Sequence, residues 1–283
     1  MKLGIFGINN GLLADPDIAS RVVKTAESAG FESVWTGEHI VLPDPQAPPS
    51  PAPPQTAFAD TSTWLAFLAG QCDTLKLGTG IIILPQRNPV ELAKELATVD
   101  VASKGRLLFG LGAGYLEPEF RAMGIPFEDR GARTDEYIDA IKALWTQKNP
   151  KFQGETVRFE GIDAQPRPIQ TPHPPIHVGG FSPPALRRAV QRGNGWYGFF
   201  IDLENTAKHL AALSGIEERD GRDPALGRLE TSITPLPNVG LDDAKRYQDM
   251  GVDRLILFPD ARDEGKLFDW IEQIATSMLP QVS

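Results

Sequence analysis

Disulfides are the first thing this 283-residue sequence lacks. It has a single cysteine, Cys72, which excludes an internal disulfide framework and a cysteine-rich zinc site. Cys72 is read as a small buried hydrophobe. No apolar run approaches the roughly 18 residues a membrane helix needs. The opening MKLGIFGINN carries neither the apolar segment nor the cleavage site of a secretory signal. A soluble, cytoplasmic protein with no membrane partner is expected. Positive charge is also short: 28 Lys and Arg against 37 Asp and Glu leave a net −9. Nucleic-acid binding needs a basic footprint, so no nucleic-acid partner is expected. An anionic cofactor is not excluded, because local arginines and helix N-termini bind anions against the global field. Hydrolytic motifs are missing as well. There is no GxSxG and no HExxH, and His39, His173, His177 and His209 stand at no metal-ligand spacing. No metal is expected.

What the chain does have is regular alternation. Apolar runs at residues 3–8, 31–36, 76–84, 106–112, 175–178, 195–200, 228–235 and 252–258 have the length of buried strands. Helical periodicity lies between them, at 17–29, 61–70, 90–103, 182–192, 205–220, 241–250 and 264–279. Eight buried strands alternating with helices predict a (β/α)8 barrel, one domain over residues 1–283. The alternative, an open doubly wound sheet, usually carries GxGxxG in its first unit, and residues 1–40 have none.

Two stretches break the rhythm, both after strand C-terminal ends. Residues 43–55, PDPQAPPSPAPPQ, hold seven prolines, which cannot sit in a central strand or helix interior. This is either a loose surface loop or a lid, since such barrels work at their strand C-terminal face. Residues 115–174 read as an insertion after strand four, with one clear helix at 134–145 and a hairpin-like KFQGETVRFEG.

The strand ends offer glycine and helix starts rather than nucleophiles. GLGAGYLEPEF (110–120) is a glycine-rich turn that either binds a ligand or allows tight barrel packing. HVGGFSPPALRR (177–188) is more specific. Two glycines leave a late strand, and a helix follows with two prolines in its first turn, an arrangement whose non-proline residues present backbone N–H groups to a phosphate. A phosphate site without a protein nucleophile points to chemistry carried by a cofactor.

Three stretches carry a family resemblance. They are SVWTGEHIVLP (33–43), the run 77–145 containing LGTGIIILPQRNPVELAKELATVDVASKGRLLFGLGAGYLEPEF, and QPRPIQTPHPPIHVGGFSPPALRRAVQRGNGWY (165–197). In them the chain resembles the luciferase-like monooxygenase superfamily, most closely its F420-dependent oxidoreductases. That resemblance implies a luciferase-type TIM barrel with an insertion after strand four. It also implies a flavin or deazaflavin ring across the strand C-termini, and a non-proline cis peptide at Gly80-Ile81 as a bulge behind that ring.

By the same resemblance Thr79, Gly80, Ile81, Gly112, Gly114, His177, Gly179, Gly180, Phe181, Ser182 and Trp196 belong to the cofactor site. Gly179 and Gly180 mark its phosphate end. His39 is placed beside the ring as a proton donor or acceptor, and Tyr115 is a second candidate catalytic residue. Glu38 is read as solvated or structural. Glu119 and Arg130 are read as an ion pair, or else Arg130 or Arg133 meets an anionic tail. In the superfamily's sugar-phosphate dehydrogenases a glutamate follows the strand-four glycine turn, where this chain has Tyr115. A tryptophan they use after the strand-two histidine is absent, with Pro43 nearby, so that activity is not implied.

The expected function is hydride transfer between coenzyme F420 and a small organic substrate. The alternatives are an FMN-dependent monooxygenase and a flavin-binding protein without turnover. A homodimer is expected from the resemblance.

Overall fold

In the computed structural model, which describes residues 1–261 and 263–282, every predicted apolar run becomes a strand. Strands and helices are numbered in chain order. The barrel consists of β1 (Lys2–Phe6), β2 (Ser33–Thr36), β3 (Lys76–Thr79) with its continuation β4 (Ile82–Ile83), β5 (Leu107–Gly112), β8 (Ile176–Gly179), β9 (Gly195–Ile201), β10 (Glu230–Pro235) and β11 (Arg254–Leu257). Short β6 (Phe152–Gln153) and β7 (Arg158–Phe159) form a separate antiparallel hairpin. All barrel pairings are parallel, and β3, at one end of the strand order, also pairs with β5 near the other end, so the sheet closes. Closure rejects the open-sheet alternative. The third strand is not continuous. It breaks at Gly80-Ile81, whose peptide bond is cis, and β4 resumes beside β5.

The helices are α1 (Pro16–Ala29), α2 (Thr61–Ala69), α3 (Pro89–Ala102), α4 (Glu117–Ala122), α5 (Arg130–Thr146), α6 (Pro183–Arg192), α7 (Leu203–Asp220), α8 (Leu241–Asp249), α9 (Glu264–Ser277) and α10 (Leu279–Val282). Their starts are set locally. Asp15, Asn88, Ser182 and Asp202 each accept a hydrogen bond from a backbone N–H two or three residues on, satisfying donors the helix itself cannot. Among the described residues no helix is long and apolar enough to cross a membrane.

The segment 115–174 differs from the expectation. Its main helix starts at Arg130 rather than 134, because Arg130-Gly131-Ala132-Arg133 has no apolar period to reveal it. This helix packs against α3 and α6, with Trp145 Nε1 donating to the Ala93 carbonyl at 2.9 Å. It is therefore the barrel's own layer helix, and the added material is the chain on either side of it. Six-residue α4 was not foreseen, being too short to show a period.

Two cores result. The larger lies between barrel and helices and includes Val22, Leu68, Leu96, Ile141, Ala189 and Ile271, all buried; each of the valine, leucine and isoleucine side chains contributes roughly 1.5–3 kcal/mol. Cys72 belongs to it, as expected. The smaller fills the barrel with Phe6, Trp35, Leu108, Tyr197 and Ile256. Trp35 needs Gly78 opposite, where a Cβ would come within 2.2 Å of its ring. Below Trp35, Arg254 holds both Glu32 oxygens at 2.8 Å and Ser232 Oγ at 2.9 Å. These side chains close the N-terminal end of the barrel and leave the other end for a site.

Candidate active site

The strand C-termini enclose a cavity of about 1020 Å³. Its floor is built by close approach. Phe6 and Tyr197 lie under Gly80, where a Cβ would stand 3.4 Å from each ring. Ile81 reaches across toward β5 and β8. A Cβ at Gly112 would come 2.2 Å from Ile81 Cδ1, and one at Gly179 would come 2.7 Å from it. Both glycines leave room for Ile81, so the strand-four glycine turn serves packing directly beneath the cavity.

One corner is suited to an anion. Gly179-Gly180-Phe181-Ser182 leaves β8 and starts α6, with Gly180 at φ +116°, a conformation other residues adopt only with strain. Trp196 Nε1 donates to the Gly180 carbonyl at 2.9 Å, and Phe181 stacks on His209 with centroids 5.1 Å apart. The loop is thus held from behind, while Ser182 and Ala185 of the first turn of α6 line the cavity. Across from it, Arg130 also lines the cavity. Its Nε donates to the Gly114 carbonyl at 3.2 Å and its Nη1 to the Phe127 carbonyl at 2.8 Å. The guanidinium carbon stands 3.8 Å from the Phe127 ring centroid. Among the described residues no carboxylate pairs with Arg130. The expected Glu119–Arg130 pair is therefore corrected: the cation faces the cavity and the carboxylate goes elsewhere. Arg133 pairs with Asp129.

Glu119 goes to His39. Its Oε2 stands 3.5 Å from His39 Nδ1, an ion-pair distance longer than an ordinary hydrogen bond, and its Oε1 accepts from the Ile40 N–H at 2.6 Å. Burial pushes the Glu119 carboxyl up, but His39 and the Ile40 N–H outweigh that and hold it below the ordinary value of 4.5. His39 lines the cavity, packed edge-on against Phe58 and Tyr115 at 5.3 and 6.1 Å. Among the described residues His39 Nδ1 is buried without a hydrogen bond of ordinary length, its only charged neighbour being the Glu119 carboxylate. A histidine with a carboxylate behind Nδ1 can accept or return a proton at the cavity wall. Tyr115 is about half exposed at the same wall, and burial of its inner part, with Glu119 near, pushes its hydroxyl up. Glu38 is structural and not solvated: it is buried, pairs with Arg87, and accepts from the Ile83 N–H at 2.8 Å.

The cavity gathers His39, Tyr115, Gly80, Ile81, Gly112, Gly114, Gly179, Gly180, Phe181 and Ser182. Thr79, His177 and Trp196 are not among its lining. Thr79 Oγ1 donates to the Gly110 carbonyl at 2.6 Å. His177 is buried one layer down, with Nε2 3.4 Å from Glu230 Oε2. Trp196 points outward and braces Gly180. Sequence reasoning missed Asn10 and the phenylalanines Phe6, Phe58, Phe199, Phe200 and Phe258. The only signal for them was the FF pair ending the sixth predicted strand. The proline-rich stretch roofs the cavity: Pro51, Ala52, Thr56 and Phe58 line it. The chain just beyond is fixed by Gly11 N–H to the Ala57 carbonyl at 2.9 Å and Ala59 N–H to the Asn9 carbonyl at 3.0 Å.

Comparison with known proteins places this arrangement among relatives. The family model described as luciferase-like monooxygenase matches residues 6–281. An uncharacterized protein of Mycobacterium bovis is 28% identical over 274 residues, covering 93% of each chain. The FMNH2-dependent dimethylsulfone monooxygenase of Pseudomonas putida is 40% identical over 128 residues, 44% of this chain and 35% of that one. Among solved structures, an F420-dependent secondary alcohol dehydrogenase in complex with an F420-acetone adduct superposes with TM-score 0.80 at 16% identity, covering 100% of this chain and 99% of the other.

Proposed function

This chain belongs to the luciferase-like monooxygenase family, whose members are oxidoreductases, and from that premise we propose that it uses coenzyme F420 to move a hydride to or from a small organic substrate. The donor set suits such a group. Ile81 offers an apolar floor for a flat ring. The first turn of α6 and Arg130 offer positive potential to a phosphate or acidic tail. The cavity, at the upper end of the range for single-ligand pockets, leaves room for a second molecule.

When bound, the deazaflavin supplies the hydride donor or acceptor. The chain supplies the rest. Ile81 supports the ring, the 179–182 loop and Arg130 hold the anionic end, and the roof over residues 51–58 keeps water out. His39 holds or returns the matching proton at Nε2. The observation that carries the reading is the His39–Glu119 pair at the wall, because moving a hydride to or from a carbon–oxygen centre leaves a proton to be placed. A protein that only stored cofactor would have no use for it. The second reading, reduced FMN with O₂, is favoured by the local 40% identity to the dimethylsulfone monooxygenase.

The test is separate titration of the purified protein with F420 and with FMN, followed by tryptophan fluorescence, on wild type and Ser182→Asp. Aspartate keeps the helix cap and puts a negative charge at the anion corner. We expect F420 to bind more tightly than FMN, and Ser182→Asp to lose about ten-fold in affinity. Tighter FMN binding with substrate-dependent O₂ consumption would support the second reading. Binding of neither would overturn both.

A further inference from the structure

One sector of the cavity wall is not accounted for by a cofactor held between the β3–β4 break and the α6 corner. It is the sector formed by the ends of β9, β11 and β1, and it is almost wholly phenylalanine. Phe6, Phe199, Phe200 and Phe258 form a chain of rings. Centroids are 4.8 Å apart for Phe6–Phe199, 4.5 Å for Phe199–Phe200, 5.5 Å for Phe200–Phe258 and 5.6 Å for Phe6–Phe258.

A regular strand cannot build this wall, because consecutive side chains point to opposite faces. Here the strand is bulged. The β9–β10 register slips between Thr234 and Pro235, and Phe200 takes φ +52°, a region that bulky residues adopt only at a cost. Bulges that re-aim side chains sit next to functional sites. The effect is that Phe199 and Phe200 both line the cavity. Phe199, Phe200 and Phe258 each remain between a third and two fifths exposed there, an apolar surface facing a concavity rather than bulk solvent.

Among the described residues no charged side chain lines this sector. Tyr197 below it is already committed, its hydroxyl 2.6 Å from Thr234 Oγ1. One polar group is free. The Asn10 side chain makes no hydrogen bond among the described residues, and its Oδ1 is buried without a partner. Asn10 lines the same cavity and pairs through its backbone with Phe58, the residue whose ring meets His39 at 5.3 Å. A buried amide without a partner costs roughly 1–3 kcal/mol until something satisfies it.

On the reading that this cavity is the active site, we propose that the phenylalanine wall and Asn10 form the substrate subsite. Its ligand is an uncharged, ring-sized apolar molecule with a single polar head, such as a hydroxyl, seated on Asn10 beside His39. Carboxylates and phosphate esters are disfavoured there, since the wall offers them no donor beyond one amide and would strip their hydration.

The experiment uses 2-naphthol, 2-naphthoate and naphthalene as probes, titrated calorimetrically at pH 7 into the full chain with and without bound cofactor. Variants are Phe200→Asn, which tolerates the left-handed backbone, Phe199→Gln as a second wall variant, and Asn10→Leu. Circular dichroism checks that each is folded. We expect 2-naphthol to bind at least about ten-fold more tightly than 2-naphthoate. Both phenylalanine variants should weaken 2-naphthol and naphthalene by about five-fold or more. Asn10→Leu should weaken 2-naphthol about five-fold while sparing naphthalene. No binding of 2-naphthol, equal binding of the naphthoate, or undiminished binding in the folded wall variants overturns the subsite. If the naphthol pattern holds but neither F420 nor FMN binds, the cofactor reading fails and the subsite stands.

Discussion

His39 and Glu119 stand 3.5 Å apart at the cavity wall, and the proposed proton transfer depends on that approach. Replacing His39 with Gln should lower kcat by about 10²-fold or more while F420 affinity stays within a few-fold, since general acid–base groups typically contribute on that scale; steady-state kinetics beside the fluorescence titration separate the two. Glu119→Gln leaves an acceptor for the Ile40 N–H and removes the charge. Because the folded carboxyl sits below its ordinary 4.5, the unfolded chain binds more protons in that window, so stability rises with pH through it. The stabilisation is complete above about 4.5 and is lost as pH falls toward and through the folded value. Thermal unfolding from pH 3.5 to 7 should therefore show a shallower acid decline in Glu119→Gln than in wild type. The histidine was legible because it ends an obvious strand. The carboxylate was not, since it lies 80 residues further on, in a helix too short to declare itself.

At the scale of elements, the glycines after strand four illustrate a limit of motif reading. Their spacing marks a functional end of the barrel, but it does not say whether they face a ligand or a side chain. Here Gly112 and Gly179 face Ile81. Gly112→Ala should force Ile81 off the floor or strain β5, costing about 1–3 kcal/mol and weakening the cofactor by several-fold; urea unfolding and the same titration check both halves. Parity explains the other misplacements. Trp196 and Tyr197 are neighbours on β9, so one faces the helices and the other the barrel, and of the two only Tyr197 lines the cavity. His177 shares a face with Gly179 but lies one layer deeper, beyond reach of the cavity.

The whole molecule is closed by side chains that join distant parts of the sequence. Arg254, on the last strand, binds Glu32 beside the second and is almost fully buried. Arg254→Met should leave Glu32 without its ion-pair partner and Glu230 with Lys2 as its remaining cation, costing about 3 kcal/mol, read as a lower urea midpoint with an unchanged slope. The barrel was legible because eight apolar runs at regular intervals admit few topologies. What fills and roofs it was not, because those contacts are long-range: Phe6 with Phe199 and Phe258, Asn10 with Phe58, Arg254 with Glu32. Proline content marked residues 43–55 as irregular without saying that the segment comes down over the cavity.

The root of that roof has a further consequence. Glu119 offers Oε1 to the N–H groups of Ile40 and Val41, where the chain leaves β2 for the loop, and turns Oε2 to His39. Lifting the loop from its base would break the N–H contacts of the same carboxylate that stands beside the histidine. On the proposed reading, a roof that opened to release product would release His39 in the same movement, and turnover would be timed at the base of the loop as much as at the reacting bond.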